Sequence, residues 1–111
     1  MQPVVSVVVT SDYASGKAAG WDDLRSALRG LAGQDFDEPT EFLLVETEEL
    51  APLIPADVLA ILPTLHVVAV AATTAGQLKN VGARAAAADI VAMLDADCTP
   101  VTGWLRHLVE P

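Results

Sequence analysis

Residues 90–94, Ile-Val-Ala-Met-Leu, place five apolar side chains in a row, and the run ends abruptly in Asp95 and Asp97. A strand with one wet face alternates polar and apolar residues. An unbroken run belongs to a strand covered on both faces, which in a soluble protein means a parallel sheet between helix layers. Pro100 lies just beyond and bars a simple continuation of the strand. The same signature recurs along the chain. Residues 4–9 are rich in valine, a β-branched residue that suits a pleated surface, and residues 41–46 and 66–71 read as further strands.

Between these runs the spacing changes to that of helices. Trp21, Leu24, Leu28 and Leu31 recur at helical intervals, Asp22 and Asp23 fall in the first turn where the helix dipole favours acids, and Gly33 is a natural stop. A short helix is predicted over residues 56–62, between Pro55 and Pro63. Another is predicted over residues 75–87, where Leu78, Val81 and Ala85 form a narrow apolar stripe and the many alanines allow close approach to a sheet. Asn80 and Arg84, four residues apart, share a different face of it. A last helix is predicted from about Thr102, burying Trp104, Leu105 and Leu108. Residues 10–20 are rich in Ser, Gly and Asp and read as a loop. The pattern predicts an α/β fold, a Rossmann-like three-layer α/β/α sandwich with a mostly parallel sheet. Residues 1–111 read as a single domain with neither repeat nor linker.

Composition narrows the function classes. The chain carries six basic residues against fifteen acidic ones, a net charge of -9. That disfavours a nucleic-acid or anionic-membrane footprint, both of which need Lys and Arg clusters. The single Cys98 can form neither an internal disulfide nor a zinc site alone, has no histidine near it in sequence, and reads as a small packing residue. No stretch approaches the length of a membrane span, so a cytoplasmic protein, or one at the cytoplasmic face of a membrane, is expected.

In parallel sheets ligands bind beyond the carboxyl ends of the strands, near a reversal of strand order. The polar residues of this chain gather at those ends: Thr10, Ser11 and Asp12 after the first strand, Glu46 and Thr47 after the second, Asp95 and Asp97 after the fourth. Two hard oxygen ligands one residue apart suit a divalent cation that keeps its other positions for water and phosphate. The same two acids could instead merely solvate the loop and prepare the next helix, since so short a motif often matches by accident. A phospho-receiver domain is disfavoured because residues 71–73, Ala-Ala-Thr, offer no aspartate after the third strand. A dinucleotide-binding domain is disfavoured because Thr10-Ser11-Asp12 is no glycine-rich turn.

Four segments in order carry a resemblance: Val4-Val5-Ser6-Val7-Val8-Val9-Thr10, Leu31-Ala32-Gly33-Gln34-Asp35-Phe36, Lys79-Asn80-Val81-Gly82-Ala83-Arg84-Ala85-Ala86, and Asp89-Ile90-Val91-Ala92-Met93-Leu94-Asp95-Ala96-Asp97 followed by Gly103-Trp104-Leu105. Together they resemble the N-terminal, nucleotide-sugar-binding half of a family 2 glycosyltransferase with the GT-A fold, over essentially the whole chain. The resemblance implies a hexosyltransferase-type enzyme with a nucleotide-diphosphate-sugar donor and an unknown acceptor. It implies Asp97 as ligand of a Mg2+ or Mn2+ ion bridging the diphosphate, and Asp95 near the ribose and metal. It also implies Thr10 lining the base pocket, Glu46 where the family usually carries a base-contacting Asp, and Lys79 in place of an Arg near the nucleotide. Lys79 reads as readily as a solvated helix charge. Arg84 reads as structural, and His66 and His107 as non-catalytic.

The chain departs from the family after the first strand, where Thr10-Ser11-Asp12-Tyr13 replaces Pro-Thr-Tyr-Asn, and after the second, where Glu46-Thr47-Glu48-Glu49 replaces Asp-Asp-Gly-Ser. The family's acceptor site and general base lie in a second half that this sequence does not contain, so the catalytic residues are unknown and a truncated enzyme is expected. In such a chain residues 90–94 would lack a neighbour on one side, an apolar sheet edge prone to self-association. The alternative from another class is a non-catalytic nucleotide-binding or partner-binding α/β module.

Overall fold

The computed structural model describes residues 2–10, 21–71, 75–96 and 98–110. Of the loop expected over residues 10–20, Thr10 instead ends the first strand and residues 11–20 lie outside the described residues, as does the metal ligand expected at Asp97. Four strands, β1 (Val5–Thr10), β2 (Thr40–Thr47), β3 (Leu65–Val70) and β4 (Ile90–Asp95), form one sheet in the order β3-β2-β1-β4, with every neighbouring pair parallel. Four helices alternate with them: α1 (Asp22–Ala32), α2 (Ala56–Ile61), α3 (Ala75–Ala85) and α4 (Trp104–Val109). A turn of 3-10 helix over Ala51–Leu53, with a proline inside it, precedes α2 and was not legible in the pattern.

The two faces of the sheet separate by the period-two rule. Val5, Val7 and Val9 of β1, Leu44 of β2 and Leu94 of β4 pack with Leu28 of α1, Val58 of α2 and Leu105 of α4. Val8, Leu43 and Val45 pack with Leu78 of α3. The architecture is therefore an α/β/α sandwich with α1, α2 and α4 on one face and α3 on the other. β1, inside the sheet and covered on both faces, is buried at every position.

The run 90–94 is less buried than its uninterrupted hydrophobicity predicts. β4 pairs with β1 alone among the described strands, and Ile90 and Met93 are 41% and 40% exposed on opposite faces. The run marks a strand that lies between two layers but borders the sheet. Cys98 is exposed, which corrects its reading as a packing residue.

Glycines and side-chain acceptors set where the helices lie and end. α1 begins after Trp21, which stands outside the helix in the left-handed region at φ 60 and still packs against the core. Gly82 lets α3 lie directly on the sheet: a Cβ there would overlap Val8 Cγ1 and stand 3.1 Å from Val45 Cγ2. α3 stops at Ala85, two residues short of expectation, because the next amides are taken from outside the helix. The Ala87 N–H donates to Glu41 Oε1 at 2.8 Å and the Ala88 N–H to Ser6 Oγ at 3.1 Å. Ser6, wholly buried, donates in turn to Glu41 Oε1 at 2.6 Å, so β1, β2 and the α3–β4 turn share one knot. The Ser6 hydroxyl, then the Ala87 N–H, hold the Glu41 carboxyl below its ordinary range, with His66 adding to the effect and burial opposing it.

A second knot fixes the segment after β4. Gln34 Nε2 donates to the carbonyls of Gly30 at 3.0 Å and Val101 at 2.6 Å, while its Oε1 accepts the Leu105 N–H at 2.8 Å. That amide belongs to the first turn of α4, whose start at Trp104 has no side-chain cap of its own. Arg106 pairs with Asp35 at 2.8 Å beside it.

Candidate functional site at the carboxyl ends of β1 and β4

The sheet builds outward from β1 to β2 and β3, then the chain recrosses over α3 to add β4 on the other side of β1. Strand order reverses between β1 and β4, and that is where parallel sheets open a crevice for ligands. The register pairs Thr10 with Asp95, the last residues of the two strands. Their side chains meet: Thr10 Oγ1 donates to Asp95 Oδ1 at 3.2 Å. Lys79, on α3, brings its Nζ to 3.7 Å from the same carboxylate oxygen. The backbone closes below them, with the Ala96 N–H donating to the Thr10 carbonyl and the Cys98 N–H to the Asp95 carbonyl, each at 2.9 Å.

Three of the expected residues, Thr10, Lys79 and Asp95, thus converge on the α3 face of the sheet. Thr10 is 3% exposed, so its hydroxyl is held in place, whereas the side chains of Lys79 and Asp95 are 46% and 55% exposed and reach solvent. A carboxylate anchored through one oxygen and still half-exposed to solvent is chemically suited to a divalent cation completed by water or phosphate. Among the described residues no group of three or more His, Cys, Asp or Glu side chains gathers to make an all-protein cage.

Glu46 stands apart. Alternation along β2 puts it on the face of Leu44, opposite to Thr10 and Asp95. It is 1% exposed, and its Oε1 accepts the Thr47 N–H at 2.8 Å. A carboxylate this buried must be hydrogen-bonded to be tolerated, so Glu46 also has a structural task at the end of β2. Arg84, in the last turn of α3, is exposed, as are His66 on β3 and His107 on α4. A shallow groove of about 290 Å³ opens at the other end of the sheet, near Phe36, Thr40 and Phe42, and does not include the Thr10–Asp95 pair. The roles of Ser6, Gln34 and Gly82 were not legible in the sequence. All three lie inside the resembling segments, but apart from Gly30, four residues from Gln34, their partners are distant in sequence.

No family model matches the chain, and no curated protein is significantly similar to it. Among solved structures it is similar to TarS of S. aureus, a glycosyltransferase, with a TM-score of 0.67 at 21% sequence identity. The likeness extends over 94% of this chain and only 18% of that one, and at this identity it speaks to fold alone. Among the described residues no helix is long and apolar enough to cross a membrane.

Proposed function

We propose that this chain binds a nucleotide-diphosphate sugar through a divalent cation and forms the donor-binding part of a family 2, GT-A glycosyltransferase. The observation that carries the reading is the convergence of Thr10, Lys79 and Asp95 at the strand-order reversal between β1 and β4. The glycosyltransferase-like fold supports it.

Asp95 and Asp97 would hold a Mg2+ or Mn2+ ion, which when bound supplies Lewis acidity to the leaving diphosphate. The structure's own part is to orient and to attract. Thr10 fixes the Asp95 carboxylate by its hydroxyl, and Lys79 adds positive charge at the same rim of an otherwise acidic chain. Glu46 would bear on the base or ribose only through the end of β2. An inverting transfer also needs a base beside the acceptor hydroxyl, and no described residue is assigned to it. The chain is expected to bind donor, and transfer would further require that base.

Calorimetric titration with a panel of nucleoside diphosphates, with Mn2+ and with EDTA, tests the reading. Binding that requires Mn2+ supports it. Binding of similar strength in EDTA favours a nucleotide-binding module of another kind, and no binding to any member of the panel favours a partner-binding module.

A further inference from the structure

Lys79 does more at this site than place a positive charge near the nucleotide, because it already has a partner there. Its ammonium lies 3.7 Å from Asp95 Oδ1, the same oxygen that accepts the Thr10 hydroxyl. A second cation at that oxygen therefore meets a positive charge already beside it. Arg25 is engaged with Asp22 and Asp57, and Arg106 with Asp35, so these cations are held elsewhere. Lysine also differs from arginine at such a place. Its charge is compact, strongly hydrated and carried on a flexible stem, without the planar fork that grips a carboxylate in two places. An exposed pair of this kind is worth about 0.2–1 kcal/mol, little enough for a doubly charged ion to displace.

We propose that Lys79 is a built-in, exchangeable counter-cation. It neutralises Asp95 in the ligand-free chain, yields that oxygen to a divalent cation, and then turns its ammonium to the phosphates that arrive with the cation. The proposal rests on the donor-binding reading and adds a consequence that reading lacks: Lys79 opposes the metal alone and favours the metal together with an anionic ligand. Linkage requires the opposition to be mutual, because whatever Lys79 gains from Asp95 the metal must overcome. No bond forms or breaks in the exchange; one cation leaves a carboxylate and another takes its place.

Two titrations of Lys79→Met against wild type decide it, with thermal unfolding showing that this surface variant is folded. With Mn2+ alone, followed by paramagnetic resonance or calorimetry at low salt, Lys79→Met should bind about two- to fivefold more tightly. The advantage should fade at high salt, where exposed charges are screened. With saturating Mn2+, the same variant should bind a nucleoside diphosphate several-fold more weakly than wild type. Opposite signs in the two titrations support the exchange. If wild type binds the nucleotide only with Mn2+ but Lys79→Met leaves Mn2+ affinity unchanged or weaker, the counter-cation is overturned and donor binding stands. If neither protein binds Mn2+ or nucleotide, both readings fall.

Discussion

Replacing Gly82 by alanine sets two physical effects against each other. Alanine in place of glycine inside a helix is ordinarily stabilising by about 1 kcal/mol, through backbone entropy. At this site the added Cβ would overlap Val8 Cγ1 and lie 3.4 Å from Val8 Cβ and 3.1 Å from Val45 Cγ2. Val8 and Val45 are wholly buried, and valine has little rotamer freedom with which to withdraw. The strands beneath are inside the sheet, so α3 must lift. Overpacking of this kind costs about 1–3 kcal/mol, and an overlap with a stiff, buried side chain belongs at the upper end. The net expectation is a loss of about 1–2 kcal/mol, or a fall in Tm of roughly 5–15 °C for a domain of this size. Thermal unfolding by circular dichroism measures it. Ala83→Gly, at an exposed position on the same helix, reports the propensity effect alone and should also lower Tm. Adding Val8→Ala to Gly82→Ala should recover more stability than the separate effects sum to, since the two side chains share one space. Because Lys79 lies one turn before Gly82, the lifted helix should also loosen the Lys79–Asp95 pair. A higher Tm for Gly82→Ala would refute the close approach of α3.

Other perturbations test the two knots and the edge. Ser6→Ala leaves the buried Ala88 N–H without its partner and should cost about 1–3 kcal/mol near neutral pH by denaturant unfolding. Because Ser6 and Ala87 depress the Glu41 carboxyl below its ordinary 4.5, the stability that group supplies is complete above that value and is lost as pH falls through its folded-state value. The penalty of Ser6→Ala should therefore shrink in acid, and a penalty independent of pH would argue against the Ser6–Glu41 bond. Gln34→Ala should release α4 and cost about 1–3 kcal/mol, with faster hydrogen exchange at Leu105 as the local sign. The β4 edge, with Ile90 and Met93 exposed, should drive self-association visible by light scattering, and Met93→Lys should suppress it.

The alternation of strands and helices was legible because each run is short, apolar and bounded by turn residues, and all four strands fall within a residue or two of the positions read from the pattern. Periodicity could not give strand order. Ile90 to Leu94 looks the same whether β4 has one neighbour or two, and only the register with Val5 to Thr10 places it beside β1. The meeting of Thr10 with Asp95, 85 residues apart, follows from that register and from no local signal. Glu46 shows the opposite limit. Its place at the end of β2 was read correctly, but one residue decides which face it takes, and it takes the face of Leu44. The ends of α3 and α4 were misjudged by about two residues because Glu41, Ser6 and Gln34, distant in sequence, supply their terminal partners.

The central claim is that the carboxylates at the end of β4 hold the cation that holds the nucleotide. Calorimetry of one nucleoside diphosphate with and without Mn2+, on wild type, Asp97→Asn and Glu46→Gln, tests it most directly. The account predicts that wild type binds only with Mn2+, that Asp97→Asn abolishes most of that metal-dependent binding, and that Glu46→Gln weakens it less. Equal binding by wild type and Asp97→Asn would contradict it.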